Sequence, residues 1–145
     1  MNKIFDISWP ISQATTGYKD RNIVKFHDLK NFDKDGVRET DIQLSSHTGT
    51  HVDAPSHFFR DGKTIDEITL NRLVGNCVVL DLTSALEKIT DENLASFDIK
   101  EGDIVLLKTM NSSIQPTDKF SSHFVYLHES GAVYLKQKKD KSSGH

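Results

Sequence analysis

Four side chains that bind metals or move protons, His47, His51, Asp53 and His57, fall within eleven residues of a chain that holds 7 histidines among its 145 residues. They lie in the run His47-Thr48-Gly49-Thr50-His51-Val52-Asp53-Ala54-Pro55-Ser56-His57-Phe58. A helix would put His47 and His51 on one face, but Gly49, the β-branched Thr48, Thr50 and Val52, and Pro55 all disfavour helix, so the segment is expected to be extended or looped. On an extended backbone His51 and Asp53 point the same way and Val52 the opposite way. A turn at Gly49 then brings in His47.

Neutral imidazole and carboxylate without thiolate suit a divalent cation of the zinc or manganese type. Two His and one carboxylate leave coordination positions free for water, and an open site of that kind lowers the pKa of bound water to about 7. His57, beyond Pro55, is another ligand or a nearby general acid/base, and the second role is preferred. The competing explanation is a set of surface histidines in a polar loop. It suits any one of them better than all four together.

The run HTGTHVDAPSHF resembles the signature HxGTHxDxPxHF of the metal-dependent cyclase family, which includes bacterial kynurenine formamidase and isatin hydrolase. Phe5-Asp6-Ile7-Ser8-Trp9-Pro10-Ile11-Ser12 is similar to the family's opening D-[IL]-S-x-P-[IL]-S. The stretch from Ile65-Asp66-Glu67-Ile68 to Leu73-Val74-Gly75 and the strand Gly102-Asp103-Ile104-Val105-Leu106-Leu107 also match, so the likeness spans nearly the whole chain.

The resemblance implies that His47, His51 and Asp53 bind one metal, that Asp53 can bridge to a second, and that His57 donates and accepts protons. It implies a swivelling β/β/α architecture and arylformamidase chemistry, with N-formylkynurenine of tryptophan catabolism as substrate. Family members carry an aromatic residue followed by Pro-Gly-Asp that contacts substrate; here Tyr18-Lys19-Asp20 stands in its place, keeping the ring and losing the Pro-Gly. Family members run to around two hundred residues and place a further His and a bridging Glu in their C-terminal portion, whereas this chain ends at His145. The expectation is a C-terminally incomplete copy that holds at most one metal and covers its exposed apolar surface by self-association. The alternative is a non-catalytic remnant, metal-binding or merely structural. Nothing in the spacing of His123, His128 and Glu129 gives them the missing roles.

Elements that position the motif are read from periodicity. Strands are expected at Ile4 to Ile11, Asn22 to Leu29, Val37 to Leu44, Cys77 to Leu82 and Ile104 to Lys108, with Ile65 to Leu73 ambiguous. Helices are expected from an N-cap at Thr90 and over Ser130 to Lys139, the second running into a polar tail from 136 to 145. Strands outnumber helices, which gives a mixed α/β domain built around sheet. No repeat and no Gly/Ser or Pro-rich linker divides the chain, so residues 1 to 145 form one domain.

Composition narrows the function classes. A net charge of −3 and a pI near 6.1 argue against nucleic-acid binding, and the basic run Lys136 to Lys141 reads as a solvated helix end or tail. No apolar stretch approaches the ~20 residues of a membrane span, and the N-terminus lacks a signal-peptide apolar region, so cytoplasmic localisation is expected. Cys77, the sole cysteine, is expected in the core of its strand. Asp103 follows Gly102 in a turn, and Asp81 inside an apolar strand is read first as bonded to the adjacent backbone. No dinucleotide fingerprint, P-loop or serine-hydrolase elbow is present, so nucleotide chemistry and serine hydrolysis have no sequence support; the resemblance implies a small amide as the substrate class.

Overall fold

In the computed structural model the structure describes residues 3–21 and 23–140. Strand β1 (Lys25–Lys30) pairs antiparallel with β2 (Glu39–Gln43), and a single helical turn, α1 (Phe32–Asp35), closes the hairpin. The turn is set locally: Asn31 Oδ1 accepts from the Lys34 N–H at 3.1 Å, and Gly36 ends it in the left-handed region at φ 67°. Phe26 sits opposite Ile42, Thr40 Oγ1 donates to Asp28 at 3.0 Å, and Lys30 meets Glu39 at 2.6 Å. The hairpin hands the chain to the histidine-rich segment.

The second half contains the core. Strand β3 (Cys77–Asp81) pairs in parallel with β5 (Ile104–Lys108), and the short β4 (Lys88–Ile89) pairs in parallel with β6 (Tyr126–Leu127). Helices α2 (Asp91–Leu94) and α3 (Glu129–Asp140) pack against each other. Leu80, Leu82, Ala85, Ile89, Leu94, Ile99 and Val125 form one buried cluster, onto which Val78, Val105, Leu107, Tyr134 and Leu135 pack. Helix α3 docks through Gly131, where a Cβ would lie 2.8 Å from the Ile89 carbonyl oxygen and from a Leu127 methyl. The mixed α/β class agrees with the sequence reading. Among the described residues no helix is long and apolar enough to cross a membrane.

Two expectations need correction. Ile4 to Ile11 forms no strand: Asp6 Oδ1 takes the Ser8 N–H at 2.9 Å, Pro10 has no N–H, and the Trp9 N–H donates to the Thr50 hydroxyl at 2.9 Å rather than to a ladder. Cys77 is exposed, because residues 77, 79 and 81 point to the open face of the β3–β5 pair while Val78 and Leu80 point to the core. Helix α3 covers the helix expected over Ser130 to Lys139, and residues 141–145 of the expected polar tail lie outside the described residues. The ambiguous stretch resolves into two 3-10 turns, Ile65–Glu67 and Leu70–Arg72.

Candidate metal centre

The turn that carries His47 is fixed by short-range bonds. Thr48, only 5 % exposed, donates its N–H to the Ser45 carbonyl at 3.1 Å, and Gly49 follows in the left-handed region at φ 61°. That conformation suits glycine, and the approach is close as well, since a Cβ there would meet Ile11 at 3.2 Å. The chain reverses and returns as His51, Val52 and Asp53.

His51 is oriented by the same loop. Its Nδ1 lies 2.8 Å from the Gly49 carbonyl oxygen, which only accepts, so Nδ1 carries the proton and the lone pair of a neutral ring is on Nε2. That Nε2 is 3.3 Å from His47 Nδ1 and 3.6 Å from Asp53 Oδ1, and His47 Nδ1 is 2.9 Å from Asp53 Oδ1. One ligand atom from each of the three residues lies within 4.8 Å of the other two. A tetrahedral ion with bonds of about 2.0–2.1 Å sets neighbouring ligand atoms roughly 3.3–3.4 Å apart, so the three observed separations bracket the edges of such a polyhedron. Two imidazoles and one carboxylate fit a divalent cation. The His51 contact to a backbone carbonyl is the outer bond that metal-ligating histidines make.

His57 reaches the group from the far side of Pro55. Pro55–His57 forms a 3-10 turn, with the His57 N–H on the Ala54 carbonyl at 2.9 Å and the Ser56 N–H on the Lys63 carbonyl at 3.1 Å. The turn is pressed from outside by Gly62, where a Cβ would lie 2.6 Å from the Pro55 carbonyl carbon. The His57 ring stands 4.2 Å from the His47 ring, tilted by 47°, and lines with His47 and Asp53 an open cavity of about 430 Å³. His57 is outside the converging triplet of ligand atoms.

Tyr18 lies elsewhere. Its ring meets Phe120 edge-on at 5.0 Å and lines a separate cavity of about 310 Å³ with Trp9 and Phe124. Trp9 links the two regions, since its N–H is held by Thr50, between Gly49 and His51. Sequence reasoning missed Phe120, 102 positions from Tyr18, and Gly62, whose neighbours are backbone atoms; no local pattern marks either.

The remaining candidates have structural explanations. Asp81 accepts from Lys108 Nζ at 2.8 Å and from the Thr83 hydroxyl at 2.7 Å, and these bonds, Lys108 first, hold its carboxyl down at about 2. Asp103 Oδ2 caps the Lys100 N–H at 2.9 Å. His128 Nδ1 accepts the Ser130 N–H at 3.2 Å at the start of α3, and His123 and Glu129 do not join the triplet of His47, His51 and Asp53.

The chain matches known proteins along most of its length. It is 33 % identical over 119 residues to a kynurenine formamidase of Salinibacter ruber, which covers 81 % of this chain and 56 % of the relative. To a kynurenine formamidase of Bacillus anthracis it is 29 % identical over 138 residues, 94 % of this chain and 65 % of the relative. A solved structure described as a potential metal-dependent hydrolase with cyclase activity superposes with TM-score 0.78 at 37 % identity, over 94 % of this chain and 64 % of that one. A solved structure described as a predicted metal-dependent hydrolase from Bacillus stearothermophilus superposes with TM-score 0.75 at 39 % identity, over 94 % of this chain and 65 % of that one. The chain thus spans between 56 % and 65 % of the length of these curated relatives. The Cyclase family model matches residues 5–145, and the chain belongs to that family.

Proposed function

We propose that the protein is a metal-dependent hydrolase of a small amide, most like an arylformamidase acting on N-formylkynurenine. The observation that carries this reading is the convergence of His47 Nδ1, His51 Nε2 and Asp53 Oδ1, with the His57 ring 4.2 Å from His47 in the same cavity. The names of the relatives and of the structural neighbours support it. Zinc suits this donor set best and manganese second. A divalent ion supplies Lewis acidity toward the formyl carbonyl and makes water a stronger acid.

The chain's own residues do the rest. Asp53 and the two histidines hold the ion, and the Gly49 carbonyl fixes the His51 ring so that Nε2 faces inward. His47 Nδ1 has Asp53 at 2.9 Å and His51 Nε2 at 3.3 Å, so binding a cation there displaces the proton those atoms share. His57, unencumbered by the triplet, takes a proton from attacking water and delivers it to the leaving nitrogen. Tyr18, in the separate cavity that the Trp9–Thr50 bond ties to the loop of His51, contributes an aromatic wall for the aryl group. The reading includes cytoplasmic localisation and a homo-oligomer, the latter supported by exposed apolar side chains such as Val79 in mid-strand at 58 % and Val74 at 76 %.

The test is formate release from an aryl formamide by the zinc- or manganese-loaded protein. Formate and arylamine released in equal amounts, abolished by chelator, are expected. Bound metal with no formate release would favour a metal-binding chain without turnover.

A further inference from the structure

The cavity beside Tyr18 is built from parts of the chain that are far apart in sequence and tied together by named bonds. One wall is formed by Thr16, Gly17 and Tyr18, and Tyr18 opens a 3-10 turn in which Lys19 and Asp20 hold positive φ of 55° and 57°, unusual for residues with a Cβ. Gly17 makes that turn possible: a Cβ there would lie 2.2 Å from the Arg21 carbonyl oxygen. The opposite wall is the segment 110–124, and Asn111 fastens it to the core by donating to the Val125 carbonyl at 2.7 Å and accepting its N–H at 2.9 Å.

Two bonds clasp the walls to each other. The Phe120 N–H donates to Asp20 Oδ1 at 2.7 Å, and the Thr16 N–H donates to the Pro116 carbonyl at 2.8 Å. The first places the Phe120 ring edge-on to Tyr18, with centroids 5.0 Å apart and planes at 77°. Trp9 supplies a third side, and its N–H bond to Thr50 joins this cleft to the loop that carries His51. Phe124 adds a fourth ring to a space of about 310 Å³, at the small end for ligand sites and matched to a single substituted ring.

We propose that Phe120 sets the selectivity of this cleft for planar aryl groups over alkyl groups, and that Asp20 is its positioning residue. An alkyl ligand gains burial alone, whereas an aryl ligand also gains edge and face contacts with rings already held at T-shaped geometry. Asp20 acts through Phe120: without the acceptor at 2.7 Å the segment loses the bond that holds the ring against Tyr18. The inference rests on the amide-hydrolase reading in taking the aryl group as the N-substituent of the substrate.

Trp9 is the only tryptophan of the chain, so its fluorescence reports occupancy of the cleft directly. Formanilide and N-cyclohexylformamide are titrated into the full chain, with and without zinc. Wild type should bind formanilide saturably and roughly tenfold more tightly than the cyclohexyl amide, the worth of a pair of ring contacts. Phe120→Leu should bring that ratio to about twofold or less while zinc affinity, measured by chelator competition, stays the same. Asp20→Ala should lower the ratio likewise, and Asp20→Asn, which keeps an oxygen for the Phe120 N–H, should restore it. Equal binding of the two amides by wild type overturns the proposal, as does full discrimination in Phe120→Leu or an Asp20→Asn as poor as Asp20→Ala. Intact selectivity without formate release would uphold the cleft and count against the hydrolase reading, so the two fail separately.

Discussion

Gly62→Ala tests how the turn that carries His57, the proposed proton-transfer group, is held. The added methyl would start 2.6 Å from the Pro55 carbonyl carbon and 2.7 Å from the Pro55 oxygen and the Ser56 nitrogen, all backbone atoms with no rotamer to escape into. Ordinary contact begins at 3.4 Å, so the two segments must separate by about 0.8 Å. Overpacking of this kind costs about 1–3 kcal/mol, or roughly 2–4 °C of Tm per kcal/mol in a domain of this size. The moving part is the turn that carries His57, and a misplacement near 1 Å at a reacting group costs on the order of 10²-fold in rate. Gly36→Ala is the control: Gly36 has φ +67° and nothing within 4 Å, so Ala there is strained by about 1–2 kcal/mol through the backbone alone and leaves the turn in place. Urea denaturation followed by formate-release kinetics on both variants separates the effects. A Gly62→Ala protein as stable and as active as wild type, or one that loses no more activity than Gly36→Ala, refutes the reasoning.

Replacing His57 by Asn should leave metal content intact and lower turnover by about 10²- to 10⁴-fold, and joint loss of metal and activity would make His57 a ligand. Asp81 has a folded-state pKa depressed from 3.8 to about 2, so its contribution to stability is present above pH 4 and is lost as pH falls toward 2. The Tm difference between wild type and Asp81→Asn should therefore be present at neutral pH and be lost as pH falls through about 2; a difference undiminished at that pH contradicts the Lys108 and Thr83 assignment. Leu94, the α2 residue that the core cluster buries to 0 % exposure, should cost about 2–5 kcal/mol on truncation to Ala, and a midpoint shift worth less than about 1 kcal/mol would show that the core lies elsewhere.

What could be read from the sequence was what local chemistry dictates. His47, His51 and Asp53 are close because a glycine turn is encoded within the motif, and the contacts among the three ligand atoms are all made within residues 47–53, although Trp9 and Ile11 also meet this loop. Strands β3 and β5 and helix α3 follow from short branched runs and a lysine-rich end, and α2 from Thr90, whose N–H and hydroxyl meet Asn93 Oδ1 at 2.8 and 3.0 Å. Non-local relations were not legible. Ile4 to Ile11 has the alternation of a strand, but a strand needs a partner, and its Trp9 N–H finds the Thr50 side chain instead. Cys77 sits in an apolar run whose periodicity reports two faces without reporting which is covered. The Tyr18–Phe120 pair and the contacts of Gly62 and Gly131 depend on chain crossings that no window of residues contains.

The central claim is that His47, His51 and Asp53 form one divalent-metal site. It is tested most directly by metal analysis of the zinc-loaded, exhaustively dialysed protein alongside His51→Ala and Asp53→Ala, with circular dichroism to establish that the variants are folded. One ion per wild-type chain, lost from both folded variants, is the predicted result; undiminished metal in both variants contradicts the ligand assignment and the function built on it.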